Sequence, residues 1–356
     1  MKAFWGDRIR NLAPYTPGEQ PRDRQYIKLN TNENPYSPAP SVLEAVQKAA
    51  GEALKLYPDP NSTALKGALA AYAGLRAENV FVGNGSDEVL ALCFAAFFDK
   101  RAPVRFPDVT YSFYPVYADF FSVPYEEMPV GAYFDIRPGS FAGSCGGVIL
   151  PNPNAPTGYV LPISEIERMA ASDPNRLVLI DEAYVDYGNE TCIPLIHKYK
   201  NLIVVHTMSK SKNLAGAHIG YCVADKSLID DLNGIKFSFN PFNMSDISLA
   251  IGTAAVKDSA YYEKCAKEII ANREFLSEEL RKLGFQVLES HTNFIFVTNP
   301  AMYAKEYNQK LREHGILARY YDAPRIDNFL RITIGTREEM EAVVEATREI
   351  LQKLAA

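Results

Sequence analysis

The sequence is poor in the features that mark secreted and membrane-bound proteins. Its five cysteines are odd in number, scattered and without a CxxC pair, which argues against a disulfide framework or a zinc site. The longest apolar run, residues 89–98, reaches about half the length needed to cross a bilayer, so we expect a buried helix there. The N-terminus lacks the apolar segment of a secretory signal. These absences favour a cytoplasmic protein without a membrane partner.

The charge of the chain is also unsuited to a nucleic-acid partner. The net charge is −6, and the sequence contains no basic block of the kind that binds phosphate backbones. What the chain has is length and an ordinary globular composition, with 356 residues of which 47% are hydrophobic and 22% are charged. A chain of this length is too long for one ordinary hydrophobic core, so we expect two lobes.

Apolar runs of strand length alternate with helical patterns from residue 79 to residue 224. This rhythm predicts βαβ units and a mostly parallel sheet covered on both faces, which is an α/β fold. Residues 245–283 form one long helical pattern without a strong break, and shorter strands and helices follow it. We therefore predict an N-terminal arm at 1–28, a large domain at 29–255 and a smaller α+β domain at 256–356.

Polar residues follow four of the predicted strands, at the sheet edge where ligands of open α/β folds bind. One segment, "GNGSDE", enters a helix, so the backbone N–H groups of Ser86, Asp87 and Glu88 would form an anion site. A tight turn with a capped helix explains that segment equally well. The other three segments are "PNPNAPTG", "DEAY" and "TMSK". Turns alone do not require an acid at one strand end and a lysine at the next.

Two of these strand ends carry ionisable groups of opposite sign, Asp181 and Lys210. A buried Asp181 needs a partner, and either an ion pair or the protonated nitrogen of a heterocycle would supply one. Tyr184 could then donate to an oxygen of the same ring. A buried Lys210, beside Thr207 and Ser209, would lose proton affinity and become a nucleophile able to form a Schiff base.

Lys212 lies two residues beyond Lys210 and is better interpreted as a solvated lysine, so Lys210 is the candidate nucleophile. An acid for a ring nitrogen, a Schiff-base lysine, a phosphate site and a phenol follow one another on successive strand ends. Together they meet the requirements of one cofactor, pyridoxal 5′-phosphate.

Longer motifs support this interpretation nearly from end to end. They are "RNLAPY" (10–15), "KLNTNENPYSP" (28–38), "LYPDP" (56–60), "GNGSDEVL" (83–90), "PNPNAPTG" (151–158), "DEAY" (181–184), "SKSKNLAG" (209–216), "TNFIFV" (292–297) and "LRITIGT" (330–336). With these motifs the sequence resembles the fold-type I pyridoxal-phosphate aminotransferases. The pair "RNLAPY" and "NTNENPYSP" is similar to the histidinol-phosphate branch of that family.

The resemblance implies a role for each residue of the cofactor site. Lys210 resembles the Schiff-base lysine that also moves the proton, and Asp181 resembles the partner of the ring nitrogen. Tyr184 and Asn154 would hold the oxygen on the ring, and Tyr111 would stack on its face. The residues that the resemblance places at the cofactor phosphate are Ser86, Asp87, Thr207 and Ser209, with Glu88 at the same helix start.

The resemblance also implies a substrate pocket and a partner subunit. Tyr57 resembles a tyrosine that reaches the phosphate in the partner subunit, which implies a homodimer with shared sites. Arg331 resembles the arginine that binds the anionic end of the substrate. Arg319, Tyr15 and Asn32 would complete a pocket for a phosphorylated amine, since a guanidinium binds phosphate bidentately. For Arg319, a surface ion pair explains the residue equally well.

The sequence departs from the family pattern at two positions. Ala155 stands where the family has an asparagine, so Asn154 or Asn152 must supply the amide, and we predict Asn154. His218 stands where the family carries an arginine to the cofactor phosphate. An imidazole with a pKa near 6.5 is only partly charged at neutral pH, which could weaken cofactor binding by roughly tenfold to a hundredfold.

The activity that the resemblance implies is transamination from histidinol phosphate to 2-oxoglutarate, giving imidazole-acetol phosphate and glutamate in histidine biosynthesis. Three alternatives stay open on sequence grounds. They are a lyase similar to threonine-phosphate decarboxylase, an aminotransferase for aromatic amino acids, and an inactive cofactor-binding homologue. His218 and Ala155 give the last some weight, and the intact Lys210 and Asp181 count against it.

Overall fold

The computed structural model of the chain describes residues 12–355, so residues 1–11 of the predicted arm lie outside it. The strands are β1 (Ile27–Lys28), β2 (Val80–Gly83), β3 (Val104–Pro107), β4 (Tyr125–Met128), β5 (Gly147–Pro151), β6 (Leu177–Asp181), β7 (Leu202–Thr207), β8 (Gly220–Ala224), β9 (Gln286–Val287), β10 (Phe294–Thr298), β11 (Ile316–Leu317), β12 (Arg319–Tyr320) and β13 (Leu330–Thr333). The helices are α1 (Pro40–Ala49), α2 (Thr63–Ala73), α3 (Gly85–Phe97), α4 (Phe113–Phe121), α5 (Ile163–Ser172), α6 (Lys226–Phe239), α7 (Asp246–Lys257), α8 (Ser259–Lys282), α9 (Ala304–Glu313) and α10 (Arg337–Ala355).

A seven-stranded sheet in the order β2-β8-β7-β6-β5-β3-β4 forms the centre of the molecule. The strand β8 runs antiparallel to both of its neighbours, and the pairs β7–β6, β6–β5, β5–β3 and β3–β4 are parallel. Along β6, Val178 and Ile180 enter one hydrophobic core while Leu179 enters the core on the opposite face. The predicted mostly parallel sheet, covered on both faces, is therefore confirmed.

A second, four-stranded antiparallel sheet, β12-β13-β10-β9, lies in the C-terminal part of the chain. Strand β1, at the end of the N-terminal segment, pairs in parallel with β11. Ile27 lies opposite Ile316, and Lys28 lies opposite Leu317. The end of the predicted N-terminal arm is thus fastened to the C-terminal region.

The prediction of one unbroken helix over 245–283 is wrong, because α7 ends at Lys257 and α8 begins at Ser259. Asp258 between them has φ −107° and ψ 44°, outside the helical region, and its Oδ2 accepts a hydrogen bond from Ser41 Oγ at 2.7 Å. A side chain from α1 therefore stabilises the break. The predicted domain boundary at 255/256 falls inside α7 and stays a prediction.

The apolar run at residues 89–98 lies mainly in α3, whose Val89, Leu90, Cys93 and Phe94 are buried, as predicted for a core helix. Within residues 12–355, no helix combines the length and the apolar character needed to span a bilayer. The five cysteines are all free thiols.

Candidate active site

Two adjoining cavities lie at the carboxyl edge of the parallel strands. The inner cavity has a volume of about 240 Å³ and the outer cavity about 140 Å³. Five residues line both cavities: Thr31, Tyr111, Ala155, Tyr184 and Lys210. Side chains from distant parts of the sequence meet here because β2, β5, β6 and β7 all end at this edge.

Asp181, the last residue of β6, lines the inner cavity and is 5% exposed. Its Oδ2 accepts a hydrogen bond from the Tyr114 hydroxyl at 2.9 Å, and its Oδ1 accepts one from the Ala183 N–H at 3.2 Å. Burial raises the pKa of Asp181 to about 6, although both hydrogen bonds act in the opposite direction. A cationic partner in the inner cavity would restore the ionised carboxylate.

Lys210 lies between the two cavities, with its Nζ 3.5 Å from the Thr31 carbonyl oxygen and 5.9 Å from the centre of the Tyr184 ring. Burial lowers its pKa to about 8, and the nearby Arg331 lowers it further, while Asp87, Glu33 and Asp181 act in the opposite direction. About a tenth of the amine is therefore in the neutral, nucleophilic form at pH 7.

Lys212 is not the solvated lysine that the sequence suggested. Its Nζ lies 3.6 Å from Asp186 Oδ2 and 5.4 Å from the centre of the Tyr72 ring, and its side chain is 12% exposed. It lines neither cavity. Asp186 also accepts a hydrogen bond from the Ser211 hydroxyl, so it anchors two residues of the segment that carries Lys210.

The start of α3 places Ser86 and Asp87 in the inner cavity, and Asp87 Oδ1 accepts a hydrogen bond from the Tyr111 hydroxyl at 2.9 Å. Glu88, predicted at the same site, does not line the cavity. Its carboxylate accepts hydrogen bonds of 2.6 Å from the Asn84 N–H and from the Asn243 amide. The Glu88 side chain therefore caps its own helix, and the predicted role of the Glu88 backbone N–H at an anion stays a prediction.

Thr207, Ser209 and His218 line the inner cavity facing the start of α3. A Cβ added at Gly85, where φ is +81°, would lie 2.7 Å from Cε1 of the His218 ring. At Gly220 a Cβ would lie 2.2 Å from the Ser86 nitrogen. Glycine at these two positions lets the backbone of α3 and the imidazole close one end of the cavity together.

The structure corrects the predicted contact of Asn154. Its Nδ2 donates to the Val109 carbonyl and to Thr157 Oγ1, both at 2.9 Å, and its Oδ1 accepts from Thr110 Oγ1 at 3.1 Å. The amide of Asn152 is likewise bonded in both directions to Leu161. Both amides stabilise their own turn, and the side chain that this turn presents to both cavities is the methyl group of Ala155.

The outer cavity carries two guanidinium groups, those of Arg319 and Arg331. Arg331 donates to the Asn30 carbonyl at 2.9 Å, but its Nε is buried and has no hydrogen-bond partner among the described residues. Arg319 donates to the Thr16 carbonyl at 3.2 Å. The ring of Tyr15 lines the same cavity.

Asn32 lines the outer cavity and also orients Tyr184, to whose hydroxyl its Nδ2 donates at 2.8 Å. Asn32 has φ 55°, and its Oδ1 accepts a hydrogen bond from Thr333 Oγ1 at 3.0 Å. Thr333 of β13 thus fixes the amide of Asn32. That amide in turn holds the hydroxyl of Tyr184, whose ring lies beside the Lys210 amine.

Tyr57 is 81% exposed and stacks on Phe242, with ring centres 4.6 Å apart and an interplanar angle of 20°. It lines neither cavity of its own chain.

A family model described as "Aminotransferase class I and II" matches residues 24–346 of the chain. The chain belongs to the class I and II aminotransferases.

Relatives of this aminotransferase extend over its whole length. It is 47% identical to "Histidinol-phosphate aminotransferase 1" of Bordetella parapertussis, over 98% of this chain and 99% of that protein. It is 46% identical to a histidinol-phosphate aminotransferase of Clostridium beijerinckii, over 99% and 98%. The crystal structure of histidinol-phosphate aminotransferase from Sinorhizobium meliloti, in complex with pyridoxal-5′-phosphate, superimposes with a TM-score of 0.85 at 28% identity and covers 93% of this chain and 92% of that one. The predicted fold-type I architecture is confirmed.

Several residues that line the cavities of this aminotransferase were not predicted individually. Thr31 and Glu33 belong to the motif "NTNENPYSP", which was recognised as a motif but not residue by residue. Tyr321 follows Arg319 closely and lines the outer cavity. Within residues 12–355, no group of three or more His, Cys, Asp or Glu side chains could hold a metal ion.

Proposed function

We propose that this aminotransferase transfers the amino group of histidinol phosphate to 2-oxoglutarate and uses pyridoxal 5′-phosphate as its cofactor. The observation that carries the proposal is the unpartnered, buried Nε of Arg331, in a cavity that also holds Arg319 and opens onto Lys210. A buried guanidinium nitrogen without a partner calls for an anion. The relatives that bear the name histidinol-phosphate aminotransferase, at 46–47% identity, support the same substrate.

The residues of the inner cavity fit the cofactor. The neutral form of Lys210 can bond to an aldehyde carbon, and Asp181, which burial leaves in need of a cation, fits a protonated ring nitrogen. Ser86, Thr207 and Ser209 offer hydroxyl groups for a phosphate at the start of α3. When bound, pyridoxal phosphate supplies an electron sink for the carbon that loses its proton.

The side chains around the ring would divide its positioning among them. Asp181 would hold the proton on the ring nitrogen, and Tyr184, which Asn32 orients, would donate to the ring oxygen. Tyr111 offers an aromatic face, with its hydroxyl fixed by Asp87. His218 takes the position of an arginine at the phosphate. The Lys210 amine would remove the proton from the substrate carbon that bears the amino group and would carry it to the acceptor carbon.

In the outer cavity, Arg331, Arg319 and Tyr15 would hold the phosphate end of the substrate while its amine reaches Lys210. Arg319 donates one hydrogen bond to the Thr16 carbonyl, and its guanidinium has further N–H groups that can bind a ligand. This arrangement favours an amine with a dianionic end over an uncharged one.

Replacing Arg319 by glutamine should raise KM for histidinol phosphate by roughly tenfold to a hundredfold, the value of one charge-assisted hydrogen bond. The value of KM for unphosphorylated histidinol should change little. Steady-state kinetics on both amines measure the difference. An equal change for both substrates would show that Arg319 supports the pocket without binding the phosphate.

We further propose a cytoplasmic homodimer in which the partner subunit's Tyr57 completes the phosphate site. The support is a set of exposed apolar side chains at this residue: Leu56 and Tyr57 are 67% and 81% exposed, and Phe242, which stacks on Tyr57, is 39% exposed. Large apolar side chains at this exposure favour burial in an interface. Sedimentation velocity tests the dimer, and a monomer at all concentrations would contradict it.

The experiment that tests the activity uses the cofactor-loaded enzyme and L-histidinol phosphate without a keto acid. The yellow absorbance of the enzyme-bound cofactor should disappear and should return when 2-oxoglutarate is added. This substrate has no carboxylate, so the result would exclude a decarboxylase. An absorbance that persists would overturn the proposed substrate and direct the test to aromatic amines. A protein that never acquires the absorbance would be an inactive homologue.

The pKa of Lys210 gives a pH dependence for cofactor uptake by the cofactor-free protein. Only the neutral amine attacks, so the uptake rate should rise about tenfold per pH unit below pH 8 and level off above it. Stopped-flow absorbance at a series of pH values measures the rate. A pH-independent rate would show that Lys210 deprotonation does not limit uptake.

A further inference from the structure

Glu33 is an acid of the inner cavity for which the proposed chemistry has no role. Its Oε2 pairs with Lys28 Nζ and accepts a hydrogen bond from Thr31 Oγ1 at 2.8 Å. Lys28 also donates to Thr31 Oγ1 at 2.9 Å, so the three side chains form a closed triangle. Thr31 in turn presents its carbonyl oxygen to Lys210 Nζ at 3.5 Å.

The triangle is anchored outside the active site. Lys28 lies in β1, opposite Leu317 of β11, and it lines a separate surface groove with that residue. Burial pushes the pKa of Glu33 upward, but the hydrogen bonds from Lys28 and Thr31 outweigh it and lower the pKa below its usual value. Glu33 is therefore ionised at neutral pH.

The charged groups that face Lys210 come from several elements: Arg331 of β13, Asp87 of α3, Asp181 of β6, and Glu33. The ring of Tyr184 lies beside the amine. In the proposed function, Asp181 is engaged by the ring nitrogen. Asp87 already bonds to the Tyr111 hydroxyl. Glu33 is thus an acid of this group that is paired with a cation, Lys28, which lies outside both cavities.

We propose that Glu33 is a positioning residue whose carboxylate, anchored by Lys28, supports the ammonium form of Lys210 from across the inner cavity. The inference deepens the proposed function and rests on it, because Lys210 must both accept and release a proton during the transfer. Lys28 moderates the effect, since its cation partly offsets the charge of Glu33.

Glu33 and Lys28 carry opposite charges, so replacing each of them should shift the pKa of Lys210 in opposite directions. This difference in sign is the test. In the full-length protein without cofactor, the pKa of Lys210 can be measured from the pH dependence of trace acetylation, read by mass spectrometry of the Lys210 peptide. Glu33→Gln should lower this pKa by roughly half a pH unit, so that Lys210 reacts about threefold faster at neutral pH. Lys28→Gln should raise the pKa by a similar amount, because the carboxylate loses its counter-ion.

Glu33→Asp, which retains the charge, should stay close to the wild-type pKa. Lys198→Gln, which removes a surface ion pair with Glu167, serves as a matched control and should change nothing. If both substitutions in the triangle shift the pKa in the same direction, or neither shifts it, Glu33 acts only as a structural support and the proposal is overturned. If one variant does not fold, the other decides alone: a shift of the predicted sign supports the proposal, and no shift or a shift of the opposite sign overturns it.

Uptake of pyridoxal phosphate by the same preparations tests the proposed function separately. A wild-type protein that shows the predicted shifts in its variants but binds no cofactor would contradict the proposed function and leave the Glu33 inference standing. Normal cofactor uptake with unchanged acetylation profiles would support the proposed function and overturn the Glu33 inference.

Discussion

Replacing Lys210 by alanine should lower kcat by about 10³- to 10⁴-fold, the usual contribution of a positioned group that acts as nucleophile and proton carrier. Lys210 lines both cavities, and burial lowers its pKa to about 8, so it can give up and regain a proton within the physiological range. The alanine variant keeps Asp181 and the phosphate-site hydroxyls. It should therefore still bind the cofactor, now without a covalent bond.

Lys212→Ala is the matched control for this prediction, because the two lysines lie in the same segment and differ in what they contact. Lys212 pairs with Asp186 at 3.6 Å and lines neither cavity, so its removal should leave kcat within a few-fold of wild type. Small primary amines added to Lys210→Ala should restore part of the rate if the missing group is a proton carrier. Equal losses in the two variants would mean that the segment matters as a scaffold and that Lys210 has no chemical role.

The position of the site followed from the sequence because it depends on a property of the sheet. Parallel strands present their carboxyl ends at one edge, so the polar residues after β2, β5, β6 and β7 had to meet whatever the register. Asp181 and Lys210 were recognisable because each is an ionisable group directly after an apolar strand. Burying a charge there costs free energy unless the charge has a partner. An ionisable residue at such a position therefore indicates a partner or a function.

The errors at the site concern polar side chains whose partners come from elsewhere in the chain. Asn154 binds the backbone of Val109 across 45 residues. Lys212 pairs with Asp186, which belongs to the loop after β6. A sequence pattern indicates that an amide or a carboxylate lies near a site, but tertiary hydrogen bonds decide whether it faces the ligand or the scaffold.

A second large effect is expected at Asp181, where replacement by asparagine should lower kcat by about 10²- to 10³-fold, the range found when a preorganised electrostatic contact is removed. Asparagine preserves the volume and can still accept from the Tyr114 hydroxyl, but it cannot carry the negative charge that a protonated ring nitrogen requires. The cavity and Lys210 remain in place. Cofactor uptake should therefore persist, while the proton on the substrate carbon that bears the amino group becomes hard to remove.

Tyr114→Phe separates this charge effect from loss of packing, since it removes the 2.9 Å hydrogen bond to Asp181 Oδ2 and leaves the carboxylate intact. A hydrogen bond to a carboxylate contributes about 1.5–3 kcal/mol, so this variant should lose no more than about a hundredfold in kcat and less than Asp181→Asn. Single-turnover absorbance with histidinol phosphate, before any keto acid is added, measures the affected step directly. An asparagine variant as fast as Tyr114→Phe would show that the charge of Asp181 is dispensable, and the acid would then be a structural residue at the end of β6.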